Sequence, residues 1–93
     1  MEEQVKPVAA LLRALANEHR LLILCALAKG PRSVTELMEY VPHIGQSALS
    51  QHLALLRAHG IVESQKEGMH VIYRVADARV NEVLQVLRRN YCP

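Results

Sequence analysis

Between Asn17-Glu18 and Gly30-Pro31 the chain carries Leu21-Leu-Ile-Leu-Cys-Ala-Leu-Ala28 without a single strongly polar side chain. A run bounded in this way reads as a helix from Glu18 to Lys29, apolar all round, and such a helix is stable only when other elements cover it. It falls well short of the roughly 20 residues that a membrane span needs, so protein must supply the cover. A chain of 93 residues has room for one core and not two, which predicts a single domain over residues 1–93 wrapped around this helix. Apolar residues make up 51% of the sequence and charged residues 22%, with Phe and Trp absent and only Tyr40, Tyr73 and Tyr91 aromatic. The core is therefore aliphatic, and the stacking platforms of single-strand nucleic-acid binders are missing.

The flanking segments supply the cover. Val5, Val8, Ala9, Leu12, Leu15 and Ala16 recur at helical spacing with Lys6 and Arg13 opposite, giving an amphipathic first helix over Val5 to Ala16. Ser33 and Glu36 form a capping-box pattern ahead of a short third helix that reaches about Tyr40. Val41-Pro-His-Ile-Gly45 is turn material, after which Ser47 to His59 resumes helical spacing with Leu49, Leu53 and Leu56 inward and Gly60 as terminator. Ile61 to Lys66 and Met69 to Val75 are rich in β-branched residues around Glu67-Gly68, a pair suited to a tight hairpin turn. Asp77 caps a last helix with Val80, Val83, Leu84, Leu87 and Tyr91 on one face. The predicted fold is mainly α with a small β-hairpin, a winged helix-turn-helix of four helices, two strands and a final helix. A hairpin alone is marginal, so it must pack on the helices.

Eleven Lys and Arg against nine Asp and Glu give a net charge of +2, too little to imply a polyanionic partner by itself. The segment Met1 to Lys6 shows no secretory signal, and a soluble, cytoplasmic protein without membrane contact is the expectation. Two cysteines in that setting do not make a structural framework. No glycine-rich phosphate loop, paired catalytic carboxylates or base beside either cysteine is evident, so neither an enzyme nor a cofactor is expected.

The fourth helix carries the chemistry. Ser47, Ser50, Gln51 and Ala54 share the face opposite its leucines, with Gln46 at its start. A helix entering the DNA major groove needs small side chains for close approach and amides or hydroxyls for base edges, and Gln pairs bidentately with adenine. Arg57 at the helix end, with Lys66 and His70 beside the wing tip, are placed to meet phosphates. An ordinary solvated face has the same composition.

Leu15-Ala-Asn-Glu-His-Arg-Leu-Leu-Ile-Leu24, Ser33-Val-Thr-Glu-Leu37, Gln46-Ser-Ala-Leu-Ser-Gln-His-Leu-Ala-Leu-Leu-Arg57, Gly60-Ile-Val62, Lys66-Glu-Gly68 and Val71-Ile-Tyr-Arg74 together resemble the ArsR/SmtB family of bacterial repressors, from Leu11 to Tyr91. Ser50, His52 and Leu53 carry its Ser-x-His-Leu pattern. The resemblance implies a homodimer joined through the first and last helices, double-stranded operator DNA as partner, and DNA contacts from Gln46, Ser47, Ser50, Gln51, His52, Arg57, Lys66 and His70. The turn before the fourth helix is one residue longer than usual, which leaves Gly45, Gln46 and Ser47 as alternative starts for it.

Many members of that family bind metal. The third helix reads Thr35-Glu-Leu-Met-Glu-Tyr40 without the family's thiolate pair, and the last helix has Asp77 and Arg79 where the resemblance would ask for Asp and His. No metal site is therefore expected, since a closed zinc site needs three or four ligands and His19, His43, His59 and His70 are scattered. From the residues alone, Cys25 reads either as a small core residue or as a reactive thiol, and Cys92 as a terminal thiol with Arg88 and Arg89 one turn before it. Leu-Cys in the second helix with Tyr-Cys after the last resembles the dithiol branch of the family, the HlyU-, BigR- and SqrR-like repressors. That resemblance implies that Cys25 and Cys92 sense oxidants or reactive sulfur by forming a disulfide or polysulfide bridge that releases DNA. The alternatives are a metal- or metalloid-responsive repressor and a winged helix used for protein association.

Overall fold

The computed structural model describes residues 1–91, in the order α1 (Glu2–Leu15), α2 (Glu18–Ala28), β1 (Arg32–Ser33), α3 (Val34–Tyr40), α4 (Gln46–Ala58), β2 (Val62–Glu67), β3 (His70–Val75) and α5 (Ala78–Tyr91). The winged helix-turn-helix expected from the sequence is present, with one added element. The two-residue β1 pairs with β3, placing Arg32 opposite Tyr73 and Ser33 opposite Ile72, so the sheet has three antiparallel strands in the order β1-β3-β2. So short a strand carries no periodic signal. It forms because the chain leaving α2 must pass the outer edge of β3 before Ser33 caps α3.

The helix ends follow side-chain chemistry. Asn17 accepts from the backbone N–H groups of His19 and Arg20 at 3.0 and 3.1 Å and starts α2. Ser33 and Glu36 close a reciprocal capping box on α3, with bonds of 3.1 and 2.9 Å. Asp77 accepts from the backbone N–H of Arg79 at 2.8 Å and pairs with its guanidinium at 3.0 Å. At the end of α4, the Gly60 N–H bonds to the Arg57 carbonyl and the Ile61 N–H to that of Leu56, a Schellman closure that needs the φ of +70° at Gly60.

Three boundaries differ from the sequence reading. α1 begins at Glu2 instead of Val5, so that Pro7 lies inside it. Gly45 is the N-cap of α4 and Gln46 its first helical residue, which settles the start that the longer turn left open. The hairpin turn is Gly68-Met69, one residue later than Glu67-Gly68, because Glu67 still pairs with His70. Gly68, at φ +62°, supplies the positive angle at the first central position of the two-residue loop.

The core gathers Ile23, Leu24, Leu37, Leu49, Leu53, Leu56, Ile61 and Leu84, none more than 1% exposed. α2 lies at its centre, in contact with α1, α3, α4, α5 and β3, yet it is not covered on every side. Ile23, Leu24, Ala26 and Leu27 are buried, whereas Leu22 remains 46% exposed. Val5, Val8 and Leu12 of α1 and Val83 and Val86 of α5 are exposed as well. Among the described residues, fifteen buried apolar ones form the core, and an apolar remainder is left outside. No helix among the described residues is long and apolar enough to cross a membrane.

Candidate nucleic-acid interface

α4 stands on Leu49, Leu53 and Leu56, all buried, and this fixes which side faces outward. Gln46, Ser47, Ser50, Gln51 and Ala54 are exposed together, and Arg57 is exposed in the last turn. The stripe is narrow and carries no carboxylate, as close approach to a phosphate-lined groove requires. α4 packs on β2, which ties the wing to this helix. In the wing, Lys66 stands opposite Val71 and Glu67 opposite His70, so Lys66 and His70 flank the tip from opposite faces of the ribbon. Both are exposed, as is Met69 between them at 96%.

His52 does not share this surface. It is half-buried on the side of α4 turned toward α2, where its Nδ1 lies 3.4 Å from Arg20 Nη1 and its ring 5.7 Å from that of His19. Partial burial, followed by the charges of Arg20 and His19, holds its pKa below the usual histidine value. The family resemblance placed His52 among the DNA contacts together with its neighbour Gln51. Helical geometry separates the two by about 100°.

Arg20 was not singled out from the sequence. Its Nε donates to the Ala14 carbonyl at 2.6 Å and its Nη2 to the Arg13 carbonyl at 3.5 Å, in the last turn of α1. The signal was a lone guanidinium at the mouth of the apolar run, beside helix-terminal carbonyls that need donors. The exposed Val5, Leu22 and Val83 were also read as covering the core or as part of it.

Cys25 is half-buried on α2, the helix to which α5 is tied by a bond from Gln85 Nε2 to the Ala28 carbonyl at 3.1 Å. Cys92 lies outside the described residues. Among the described residues no group of three or more His, Cys, Asp or Glu gathers as a metal site.

Residues 17–64 match the family model described as bacterial regulatory protein, arsR family. The sequence is 44% identical over 92 residues to the transcriptional activator HlyU of Vibrio cholerae, covering 99% of this chain and 84% of that one. It is 37% identical over 92 residues to a biofilm growth-associated repressor of Xylella fastidiosa, covering 99% and 80%. A solved structure of reduced HlyU from Vibrio cholerae superposes with a TM-score of 0.93 at 43% identity, covering 100% of this chain and 97% of that one. The repressor BigR from Xylella fastidiosa superposes with a TM-score of 0.88 at 36% identity, covering 100% and 94%. The fold and nearly the full length of the sequence thus match those of named regulators. The protein belongs to the ArsR family of bacterial regulatory proteins, in its HlyU- and BigR-like part, and is a transcriptional regulator with a winged helix-turn-helix DNA-binding fold and not an enzyme.

Proposed function

We propose that this regulator acts in the cytoplasm as a homodimeric repressor that binds operator DNA and lets go when Cys25 and Cys92 are joined. The carrying observation is the division of the surface. The outward side of α4 is small and polar, whereas α1, α2 and α5 leave Val5, Val8, Leu12, Leu22, Val83 and Val86 exposed. A stable interface removes about 1,600 Å² from water, and exposed stripes on three helices supply apolar area for one. A twofold copy then presents two recognition helices to half-sites about one helical turn apart. Gln46, Ser47, Ser50 and Gln51 meet base edges, and Arg57, Lys66 and His70 meet phosphates.

Support for the switch comes from the position of Cys25 on the helix that α5 packs against, with Cys92 directly following the last residue of α5, and from likeness to a regulator solved in a reduced state. A persulfide passes its outer sulfur to one thiolate and leaves as a thiolate. The second cysteine then attacks the inner sulfur of that pair and expels hydrosulfide, closing the disulfide; where a second persulfide has first loaded the other cysteine as well, attack of one bound persulfide on the inner sulfur of the other expels hydrosulfide and leaves a trisulfide. Release requires only a modest bias: a hundredfold weaker affinity is about 2.7 kcal/mol.

The test is a gel shift and intact-mass measurement on the same samples, with an organic persulfide or mild oxidant as inducer. Wild type is expected to lose DNA as the intramolecular bridge appears, and C25S and C92S to bind DNA but ignore the inducer. Release of the double serine variant as readily as wild type overturns the switch.

A further inference from the structure

Arg20 divides one guanidinium between two helices. Nε and Nη2 engage the Ala14 and Arg13 carbonyls at the end of α1, and Nη1 reaches His52 Nδ1 on α4. Arginine has donors and no acceptor, so this contact requires Nδ1 to accept. The ring is then neutral, with its proton on Nε2. His52 lies between exposed Gln51 and Leu53, which is 1% exposed. A tether on this ring therefore resists both rotation and lift of α4.

We propose that His52 is a positioning residue for DNA recognition: neutral, it locks α4 to the Arg20-capped end of α1, and protonated, it gives up that lock and lowers DNA affinity. The inference rests on the reading of α4 as the DNA-contacting helix. The charged groups that act on His52 are Arg20 and His19, both from α2. α1 reaches it only through the carbonyls that hold Arg20, and Arg57 is the nearest charged residue along α4 itself. No carboxylate lies among the groups acting on the ring, so an added proton meets like charge and removes the acceptor in one step. Burial and both neighbours lower the pKa, which places this loss on the acid side of the ordinary histidine range, below about pH 6.5.

The experiment measures anisotropy of a fluorescein-labelled duplex, selected from a random pool for binding to the reduced protein at pH 8. Wild type, H52N and H52A are titrated at fixed salt from pH 8 to 5.5. Asn carries an acceptor near the place of Nδ1 and does not titrate. H52A is expected to lose about three- to tenfold in affinity at pH 8, from one charge-assisted hydrogen bond, and H52N to recover most of that loss. Between pH 8 and 5.5 wild type is expected to fall about fivefold relative to H52N, which lacks the ring that takes up the proton. Parallel pH curves for wild type and H52N would overturn the proposal. So would a ring 15N spectrum at pH 8 showing His52 protonated on Nδ1, a result that leaves the DNA-helix reading intact. Failure of wild type to bind the duplex pool at every pH overturns that reading and the proposal together.

Discussion

α1 and α4 are nearly equal in length, 14 and 13 residues, and both are amphipathic, yet only one is completed by its own chain. α4 commits Leu49, Leu53 and Leu56 to the core and turns serines, glutamines and alanine outward. α1 buries Ala14 and Leu15 while Val5, Val8 and Leu12 stay about half exposed. Water is an adequate neighbour for the first kind of outer face and a poor one for the second. On the proposed function the two helices have different partners: α4 a hydrated polyanion, and α1, with its exposed neighbours on α2 and α5, another apolar surface.

The largest effect that can break this comparison comes from placing one charge on each side of it. Leu84→Glu buries a carboxylate at a position 1% exposed, and a loss above about 4 kcal/mol is expected, which leaves the chain unfolded by circular dichroism. Leu12→Glu, at a position 52% exposed, is expected to give a folded protein that sediments as a monomer at micromolar concentration. If Leu12→Glu unfolds as Leu84→Glu does, or if it remains dimeric, the apolar remainder has been misassigned. The contrast matters because the amphipathic pattern alone ranks the two leucines together.

On the polar side, Gln51→Ala is expected to weaken binding to a preferred site by about 1 to 3 kcal/mol and binding to random duplex far less. Equal losses on the two, in the same titration, would mean that this face contacts backbone and reads no bases. With about six phosphate contacts per dimer, log affinity should fall against log salt with a slope near −5, and Lys66→Ala in both subunits should flatten it by about 2.

A smaller effect tests how α4 is held at its far end. A Cβ on Gly60 meets nothing within 4 Å, so Gly60→Ala costs only the left-handed backbone, about 1 to 2 kcal/mol by urea denaturation. A neutral result would show that the Schellman closure relaxes without penalty.

The smallest effect is acid-linked. The Ser33 backbone and hydroxyl bonds hold the Glu36 carboxyl below the usual carboxylate range, with Arg32 and His70 helping. A folded pKa below the unfolded one contributes stability that is present above the unfolded value and lost as pH falls through the folded one. Glu36→Gln should therefore melt with a weaker dependence on pH below about 4.5 than wild type. Identical acid profiles would show that the capping box does not tune stability.

Much of this architecture was legible before any coordinates. Ser33, Gly60 and Asp77 mark helix ends by local hydrogen bonds or backbone angle, and a local cause leaves a local signature. Leu49, Leu53 and Leu56 were equally plain, because one buried stripe with polar residues opposite has only one way to face. The candidate site was half legible: Gln46, Ser47, Ser50, Gln51 and Arg57 do emerge on one exposed surface, whereas His52 turns away. β1 was invisible because two residues show no period and its pairing is with a strand 40 residues later.

The sequence by itself determined the order and type of the elements, their caps and the aliphatic makeup of the core, since these depend on neighbours a few residues apart. Only the tertiary structure decided which apolar residues found cover. Leu12 and Leu84 follow the same helical rule, and the crossing of α1 and α5 over α2 separates them. It also decided that Arg20, Ala14 and His52 meet, because that contact brings two helix ends and the middle of a third helix within hydrogen-bond reach, and no spacing along a chain records where helices cross.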